Sequence, residues 1–144
     1  MSPIELEAYL HAKIPLTRAM EVRVERCDPN GVILTAPLEP NHNHLQTAFG
    51  GSLSALATLA GYCLVWKIVD DPNCHVVVRE STAAFRRPVT SELRAVCHPP
   101  AAEALERFRE DFTRKGKARI ALDVVIVTEG ESAVEFRGVF VAIR

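Results

Sequence analysis

The sequence has little charge imbalance, few aromatic residues and no paired-cysteine motif. Seventeen Lys and Arg against eighteen Asp and Glu give a net charge of −1, which excludes the broad positive surface of a protein that coats nucleic acid. The four cysteines form no C-x-x-C pair, and a chain of 144 residues folds without a disulfide or metal staple. Because no basic region followed by an apolar run opens the chain, we expect a cytoplasmic protein.

An uncharged and largely apolar stretch runs from Phe49 to Trp66. Its length is close to the minimum for a membrane span, but glycine, serine, threonine and tyrosine interrupt it, and strand-like segments lie on both sides. The stretch is apolar nearly all round, as expected for a helix enclosed by its own domain. We therefore predict a buried central helix over Gly50–Lys67 and no membrane span.

Alternation of apolar and polar side chains predicts six strands in three pairs. They lie in a hairpin over 20–38, in a pair at His75–Arg86 and Leu93–His98, and in a hairpin at Ile120–Thr128 and Ser132–Ile143. A capping box at Ser2 predicts a first helix to about His11, and helical spacing predicts an amphipathic helix over 101–115.

Six strands around one enclosed helix describe an α+β hot-dog fold: an antiparallel sheet wrapped around a long helix, with an extra surface helix before the last hairpin. We expect one such domain over residues 1–144. A ferredoxin-like domain is the alternative, but it has four strands and amphipathic helices on one face of its sheet. The all-apolar central helix argues against it.

Gly50 and Gly51 open the predicted central helix. At a helix start, unpaired backbone N–H groups and the positive end of the macrodipole point outward together, so they can stabilise a negatively charged group that lies there. Asn43 can add a side-chain amide donor. The alternative is that the two glycines merely turn the chain and Asn43 caps its loop.

Ser54, Thr58 and Tyr62 are the interior polar residues of this helix after its start. Their spacing of i, i+4 and i+8 places them on one stripe. The stripe either faces a polar site, or the Ser54 and Thr58 hydroxyl groups bond to carbonyl groups one turn earlier.

The segment Asn41–Ser52 resembles the loop and helix start of hot-dog thioesterases, which carry Asn, a Gly-Thr pair, an aromatic residue or His, and then Gly-Gly. Together with Phe85–Val89 and the Lys-Gly-Lys-Ala-Arg run at 115–119, it resembles the YiiD C-terminal family, thioesterases found alone or fused to an acetyltransferase. The resemblance extends from about Ile14 to Ala142. Without an acetyltransferase segment, a stand-alone member is expected.

The resemblance implies roles for individual residues. Asn43 matches the functional Asn of the family. With the Gly50 amide it would stabilise the oxyanion or enolate that forms on the carbonyl group of a thioester substrate. Ser54 and Thr58 would position the acyl group or a water, and Phe49 would line the acyl channel. The expected substrate contacts near the helix start are Thr47, Phe49, Gly51 and Ser54.

One departure from the family pattern concerns the base. Many hot-dog thioesterases have Asp or Glu at the position of Thr58, whereas this chain has no carboxylate between Glu39 and Asp70. Glu80 is the nearest candidate, because counting along its strand places it on the face of Val78. Otherwise it is solvated or paired with a neighbouring arginine.

Hydrolysis requires an activated water, but decarboxylation of a malonyl thioester requires no base. The family resemblance includes malonyl-acyl carrier protein decarboxylases, which make acetyl-acyl carrier protein for fatty acid synthesis. We therefore expect this decarboxylation. Hydrolysis of an acyl-coenzyme A or acyl-carrier-protein thioester is the first alternative, and a non-catalytic module that binds acyl thioesters is the second.

The expected partners follow from the same chemistry. The acyl group arrives on the phosphopantetheine of coenzyme A or a carrier protein, and both are phosphorylated. The candidate phosphate contacts are Arg86 and Arg87, and Lys115, Lys117 and Arg119.

We expect a homodimer with its sites at the interface, with pairing into tetramers left open, and no cofactor. His42-x-His44 and the two Cys-His pairs fit no common zinc signature, so we expect no metal.

Overall fold

The computed structural model describes the whole chain, Met1–Arg144. The elements in chain order are α1 (Pro3–Lys13), α2 (Pro15–Ala19), β1 (Arg23–Asp28), β2 (Gly31–Ala36), α3 (Gly50–Val69), β3 (His75–Phe85), β4 (Leu93–Cys97), α4 (Ala102–Lys115), β5 (Lys117–Thr128) and β6 (Glu131–Ile143). A 3-10 turn, Glu39–Asn41, precedes the loop that leads into α3. The predicted order of helices and strands is confirmed, with α2 as an additional short helix.

The first hairpin begins later than predicted. Pro15 suits a helix start, and α2 occupies the chain up to Ala19, so β1 begins at Arg23 rather than at residue 20. Met20 and Val22 are buried without belonging to a strand. At the other end of the chain β5 begins at Lys117, earlier than the predicted Ile120, because Gly116 with a φ of +69° ends α4 and turns the chain directly into the strand.

The six strands form one sheet in the order β1-β2-β4-β5-β6-β3, and every neighbouring pair is antiparallel. The sheet encloses α3, whose Leu56, Ala57 and Ala60 are fully buried. By length and composition alone α3 is apolar enough to cross a membrane, but here 56% of its apolar window is buried as the core helix of the domain. The predicted six-stranded sheet around a central helix is therefore confirmed.

The edge strand β3 differs from the rest of the sheet. It pairs only with β6, and most of its side chains between Val77 and Ala83 are exposed. The pairing register shifts between Val78 and Glu80, which leaves Arg79 as the extra residue of a β-bulge. Such a shift changes which face of the sheet the following side chains occupy.

Candidate functional site

The N-terminus of α3 is left without a side-chain cap. Phe49 occupies the N-cap position but its side chain accepts no hydrogen bond, and the backbone N–H groups of Gly50, Gly51 and Ser52 have no acceptor in the protein. These amides and the helix dipole together form a site that favours negative charge. The geometry therefore supports the stabilisation of an oxyanion or enolate at this point.

A hollow of about 370 Å³ lies at this helix end. It is lined by Gly50, Phe85, Arg86 and Arg87, together with Ala48, Leu53, Pro88 and Val89. The end of β3 thus reaches the start of α3: a Cβ atom at position 50 would lie 3.7 Å from the Phe85 ring. No carboxylate and no imidazole lines the hollow.

Both arginines of the hollow also contact carboxylates on β6. Arg86 Nε lies 3.7 Å from Glu135 Oε1, and Arg87 pairs with Glu131. All four side chains are about half exposed or more, so the pairs hold the arginines only weakly. The two predicted phosphate contacts therefore lie beside the Gly50 amide and can exchange their partners for an anionic ligand.

Asn43 organises the loop before the helix. Its Oδ1 accepts hydrogen bonds from the backbone N–H groups of Leu45 (2.8 Å) and Thr47 (3.2 Å), and its Nδ2 donates to Thr47 Oγ1 at 2.9 Å. The loop-capping role that the sequence left open is thus present in the structure. The amide has a second N–H, which makes no hydrogen bond within the chain and can serve a ligand.

Gln46 precedes Thr47, at the position where the loop pattern that this segment resembles has glycine. Its φ of +63° is left-handed, a conformation that glycine adopts without strain and a residue with a Cβ does not. The hydrogen bonds from Asn43 N–H to the Thr47 carbonyl (2.7 Å) and from Gln46 N–H to the Asn43 carbonyl (3.1 Å) hold this turn. The loop therefore keeps this turn at the cost of local backbone strain at Gln46.

Asn41 anchors the same loop to the core, a role that the sequence did not reveal. Its side chain is 2% exposed, and Nδ2 donates to the carbonyl groups of Met20 (2.9 Å) and Pro37 (2.8 Å). The Asn41 carbonyl accepts the N–H of Phe49 at 2.7 Å. In the sequence it is one polar residue among several in a polar loop, so no local pattern separates it from its neighbours.

In the polar stripe of α3, only Thr58 bonds to a carbonyl group one turn earlier. Thr58 Oγ1 donates to the Ser54 carbonyl oxygen at 2.8 Å, as a threonine without a site partner does within a helix. Ser54, Thr58 and Tyr62 are nevertheless half-buried, so the domain's own sheet does not cover this side of α3 completely. Burial raises the pKa of Tyr62 to about 12, with a further contribution from Tyr9.

Phe49, predicted to line the acyl channel, lies against the helix start. Its ring covers Gly51 so closely that a Cβ at position 51 would overlap it, yet 57% of Phe49 is exposed. The ring is therefore free to rotate away from Gly51. Phe49 thus places an exposed apolar side chain beside the free amides.

The prediction that Glu80 shares a face with Val78 is wrong. Val78 pairs with Phe140, which is buried beneath α3, whereas Glu80 pairs with Val139 on the opposite face of the sheet. The bulge at Arg79 inserts one residue and so reverses the alternation that counting along the strand assumes. Glu80 is exposed, forms no ion pair and does not line the hollow at α3.

The second basic cluster lies apart from the first. Lys115, Lys117 and Arg119 line a groove of about 850 Å³ with Arg79 of β3, at the opposite end of that strand from Phe85. Arg79 is the extra residue of the bulge in β3, and it lies beside these three cations of α4 and β5.

The Cys-His pairs lie in separate surroundings. The Sγ groups of Cys74 and Cys97 donate to the carbonyl groups of His75 (3.6 Å) and His98 (3.8 Å). Burial raises the pKa of Cys97 to about 12. No three side chains of His, Cys, Asp or Glu lie close enough together to hold a metal ion.

Comparison with known sequences and structures places this geometry in context. Residues 4–144 match the family described as "Putative thioesterase (yiiD_Cterm)". A Chlorobaculum tepidum protein of unknown function has a similar structure at a TM-score of 0.89 and 36% identity, covering 99% of this chain and 94% of that one.

Two further solved structures are similar over nearly their whole length. A Shewanella oneidensis protein described as a putative thioesterase has a TM-score of 0.83 and 26% identity, covering 99% of this chain and 97% of that one. A Pseudomonas aeruginosa protein described as a probable thioesterase has a TM-score of 0.83 and 29% identity, covering 98% and 95%. The fold of this chain is thus shared with these two structures along nearly its entire length.

Proposed function

Because this chain belongs to the YiiD C-terminal family of hot-dog-fold thioesterases, we propose that its reaction is the decarboxylation of malonyl-acyl carrier protein to acetyl-acyl carrier protein. One observation carries the proposal. The hollow at the start of α3 is lined by Gly50, whose amide has no acceptor, and by two arginines, but by no carboxylate or imidazole. The residues that one chain places around the hollow can stabilise negative charge, but none of them can deprotonate a water.

The reaction suits these groups. The bond between the malonyl carboxylate carbon and the α-carbon breaks, carbon dioxide leaves, and the electron pair delocalises onto the thioester carbonyl oxygen as an enolate. In the proposed mechanism, the Gly50 N–H in the hollow and the second N–H of Asn43 Nδ2, from the loop outside its lining, both donate to that oxygen. The α-carbon then takes a proton from water. Hydrogen-bond donors lower the activation barrier most when they bind the developing negative charge of the transition state more strongly than the uncharged carbonyl oxygen of the substrate.

We further propose that two copies of the chain complete the site by pairing their β3 strands. On this free edge Val77 is 51% exposed, Val78 is 42% exposed and Phe85 is 53% exposed. A long edge strand with exposed apolar side chains is a template for pairing with another strand. A second copy on this edge would also cover the half-buried stripe of α3 and the open side of the hollow.

The proposed reaction needs no bound cofactor, since the substrate brings its own phosphopantetheine. All four cysteines are free thiols, and burial raises the pKa of Cys63 well above its ordinary value. Unreactive free thiols suit a reducing compartment, so we place the protein in the cytoplasm.

Incubation of the purified protein with malonyl-acyl carrier protein tests the reaction, with the carrier followed by intact mass. Loss of carbon dioxide with the acetyl group retained supports decarboxylation. Release of the free-thiol carrier would overturn it in favour of hydrolysis, the activity that the family description names. Binding without any conversion would indicate the non-catalytic alternative, and acetyl-acyl carrier protein is the matched control for hydrolysis.

Sedimentation equilibrium tests the pairing of β3. Val77→Asp places a charge on the exposed edge and cannot disturb the core, so it should shift a dimer towards monomer. Turnover should fall with the dimer fraction and recover at higher protein concentration. A fully active monomer would contradict a site formed by two copies.

A further inference from the structure

The groove lined by Arg79, Lys115, Lys117 and Arg119 is a second feature that the chemistry at α3 does not use. It occupies about 850 Å³ between the C-terminal end of α4 and the strands β5, β6 and β3. In a chain with a net charge of −1, four cations from three elements converge on one surface. We refer to it as the basic groove.

None of these four cations has a carboxylate partner. Seven other arginines of the chain form ion pairs with Asp or Glu. The single carboxylate that lines the basic groove, Asp111, pairs with Arg114 at 3.4 Å. The positive charge of the basic groove is thus not neutralised within the chain, so it is available to an acidic partner.

The floor of the basic groove is aliphatic. Val77, Val141 and Ile143 line it between the cations, and 51% of Val77 and 37% of Ile143 are exposed. Exposed apolar side chains rimmed by charges of one sign are typical of a protein interface. A helix that carries carboxylates beside an aliphatic stripe would complement both parts of this surface.

A phosphate group or nucleotide fits the basic groove less well. Helix α4 ends at Lys115 and Gly116, so the carbonyl end of its dipole lies at the groove and repels a compact anion. No helix N-terminus supplies amide donors, and no aromatic side chain is present on which a base could stack. Four exposed cations on long side chains instead suit carboxylates spread along a protein surface.

We propose that the basic groove docks an acidic helix of the carrier protein that delivers the thioester. This inference rests on the proposed function. If two β3 strands pair in antiparallel fashion, the Val77–Arg79 end of one strand lies beside the Phe85 end of the other. A carrier docked in the basic groove of one copy is then close to the strand end that bounds the hollow of the second copy. The flexible phosphopantetheine arm would pass around that end.

The test compares two double charge reversals. Lys117→Glu/Arg119→Glu reverses half of the basic groove, and Arg107→Glu/Arg109→Glu makes the same charge change on exposed residues of α4 outside it. Binding of holo-acyl carrier protein is measured by calorimetry at two salt concentrations. We expect the groove variant to weaken binding about tenfold or more, the control to change it less than twofold, and the salt dependence to decrease only in the groove variant.

Turnover separates the possible outcomes. The ratio of kcat/KM on malonyl-acyl carrier protein to kcat/KM on malonyl-coenzyme A should fall about tenfold in the groove variant, through KM rather than kcat. An equal loss on both substrates would overturn the proposal in favour of a phosphate site. Equal carrier binding by the two variants would also overturn it. Carrier binding requires no turnover, so a failure of the decarboxylation proposal leaves this test intact.

Discussion

The C-terminal half of α3 is closely packed, whereas its first turn is left open. At the C-terminal half, Gly61 admits the fully buried Phe140 ring, Tyr9 stacks on Trp66 at 5.9 Å, and the left-handed Asp70 closes the last turn. At the start, glycines, an exposed phenylalanine and uncapped amides face a hollow. One helix therefore stabilises the fold at one end and leaves polar groups free for a ligand at the other.

The difference has a physical reason. A capped and covered helix start has no donors to offer, because each amide already has a partner. Leaving three amides without an acceptor costs stability, and the packing farther along the same helix offsets that cost. Function and stability are thus separated by position along one element, and substitutions at the two ends should have different consequences.

The largest effect is expected at the open end. Asn43→Ala should reduce turnover by a factor on the order of 10²–10³, the usual result of removing one donor to a developing oxyanion. Asn43→Asp is the sharper variant, because its carboxylate can still accept from the Leu45 and Thr47 amides but has no N–H to donate. Intact-mass rates should fall in both variants. Full activity in Asn43→Asp would show that the Asn43 side chain does not act as a hydrogen-bond donor to the substrate.

The next largest effect is a difference in stability between the same substitution at two glycines, one at each end of α3. Gly61→Ala should destabilise the protein by about 1–3 kcal/mol, because the added methyl overlaps the buried Phe140 ring. Gly51→Ala should cost much less, since the exposed Phe49 ring can rotate away and alanine favours the helix. Urea denaturation measures both. Equal losses would mean that the open end is as rigidly packed as the closed one.

A smaller gain in stability is expected in the loop that positions Asn43. Gln46→Gly should stabilise the protein by about 0.5–1 kcal/mol, because glycine adopts the left-handed conformation at this position without strain. His44→Gly is the matched control in the same exposed loop, and should destabilise by a similar amount through backbone entropy. Thermal unfolding distinguishes them. A loss of stability in Gln46→Gly would show that the loop carries no strain at Gln46.

The smallest effect is expected at Glu80, on the face of the sheet away from α3. Glu80→Gln should change kcat by less than about twofold, because a group outside the site contributes little to the barrier. The pH dependence of turnover should stay the same in the variant. A tenfold loss confined to the alkaline side would instead restore Glu80 as a base and favour hydrolysis.

Much of the fold could be predicted because its signals are local. Alternation located the strands, an uncharged apolar run located α3, and Gly-Gly at its start located the free amides. The bounds of β1 and β5 were less accurate, because Pro15 and Gly116 act through backbone conformation rather than through hydrophobic pattern. The role of Asn41 was missed for a related reason, since its hydrogen bonds reach residues remote in sequence.

The amino-acid sequence by itself determined the architecture, the family resemblance and the absence of a carboxylate near the start of α3. Composition, periodicity and short motifs can be read along the chain without knowing which distant residues are in contact. Only the tertiary structure decided which side chains share a face and a site. One extra residue at Arg79 moves Glu80 away from the helix side, adds Arg79 to the basic groove and leaves Phe85 beside Gly50. A strand has a side-chain period of two, so a single bulge reverses every later assignment.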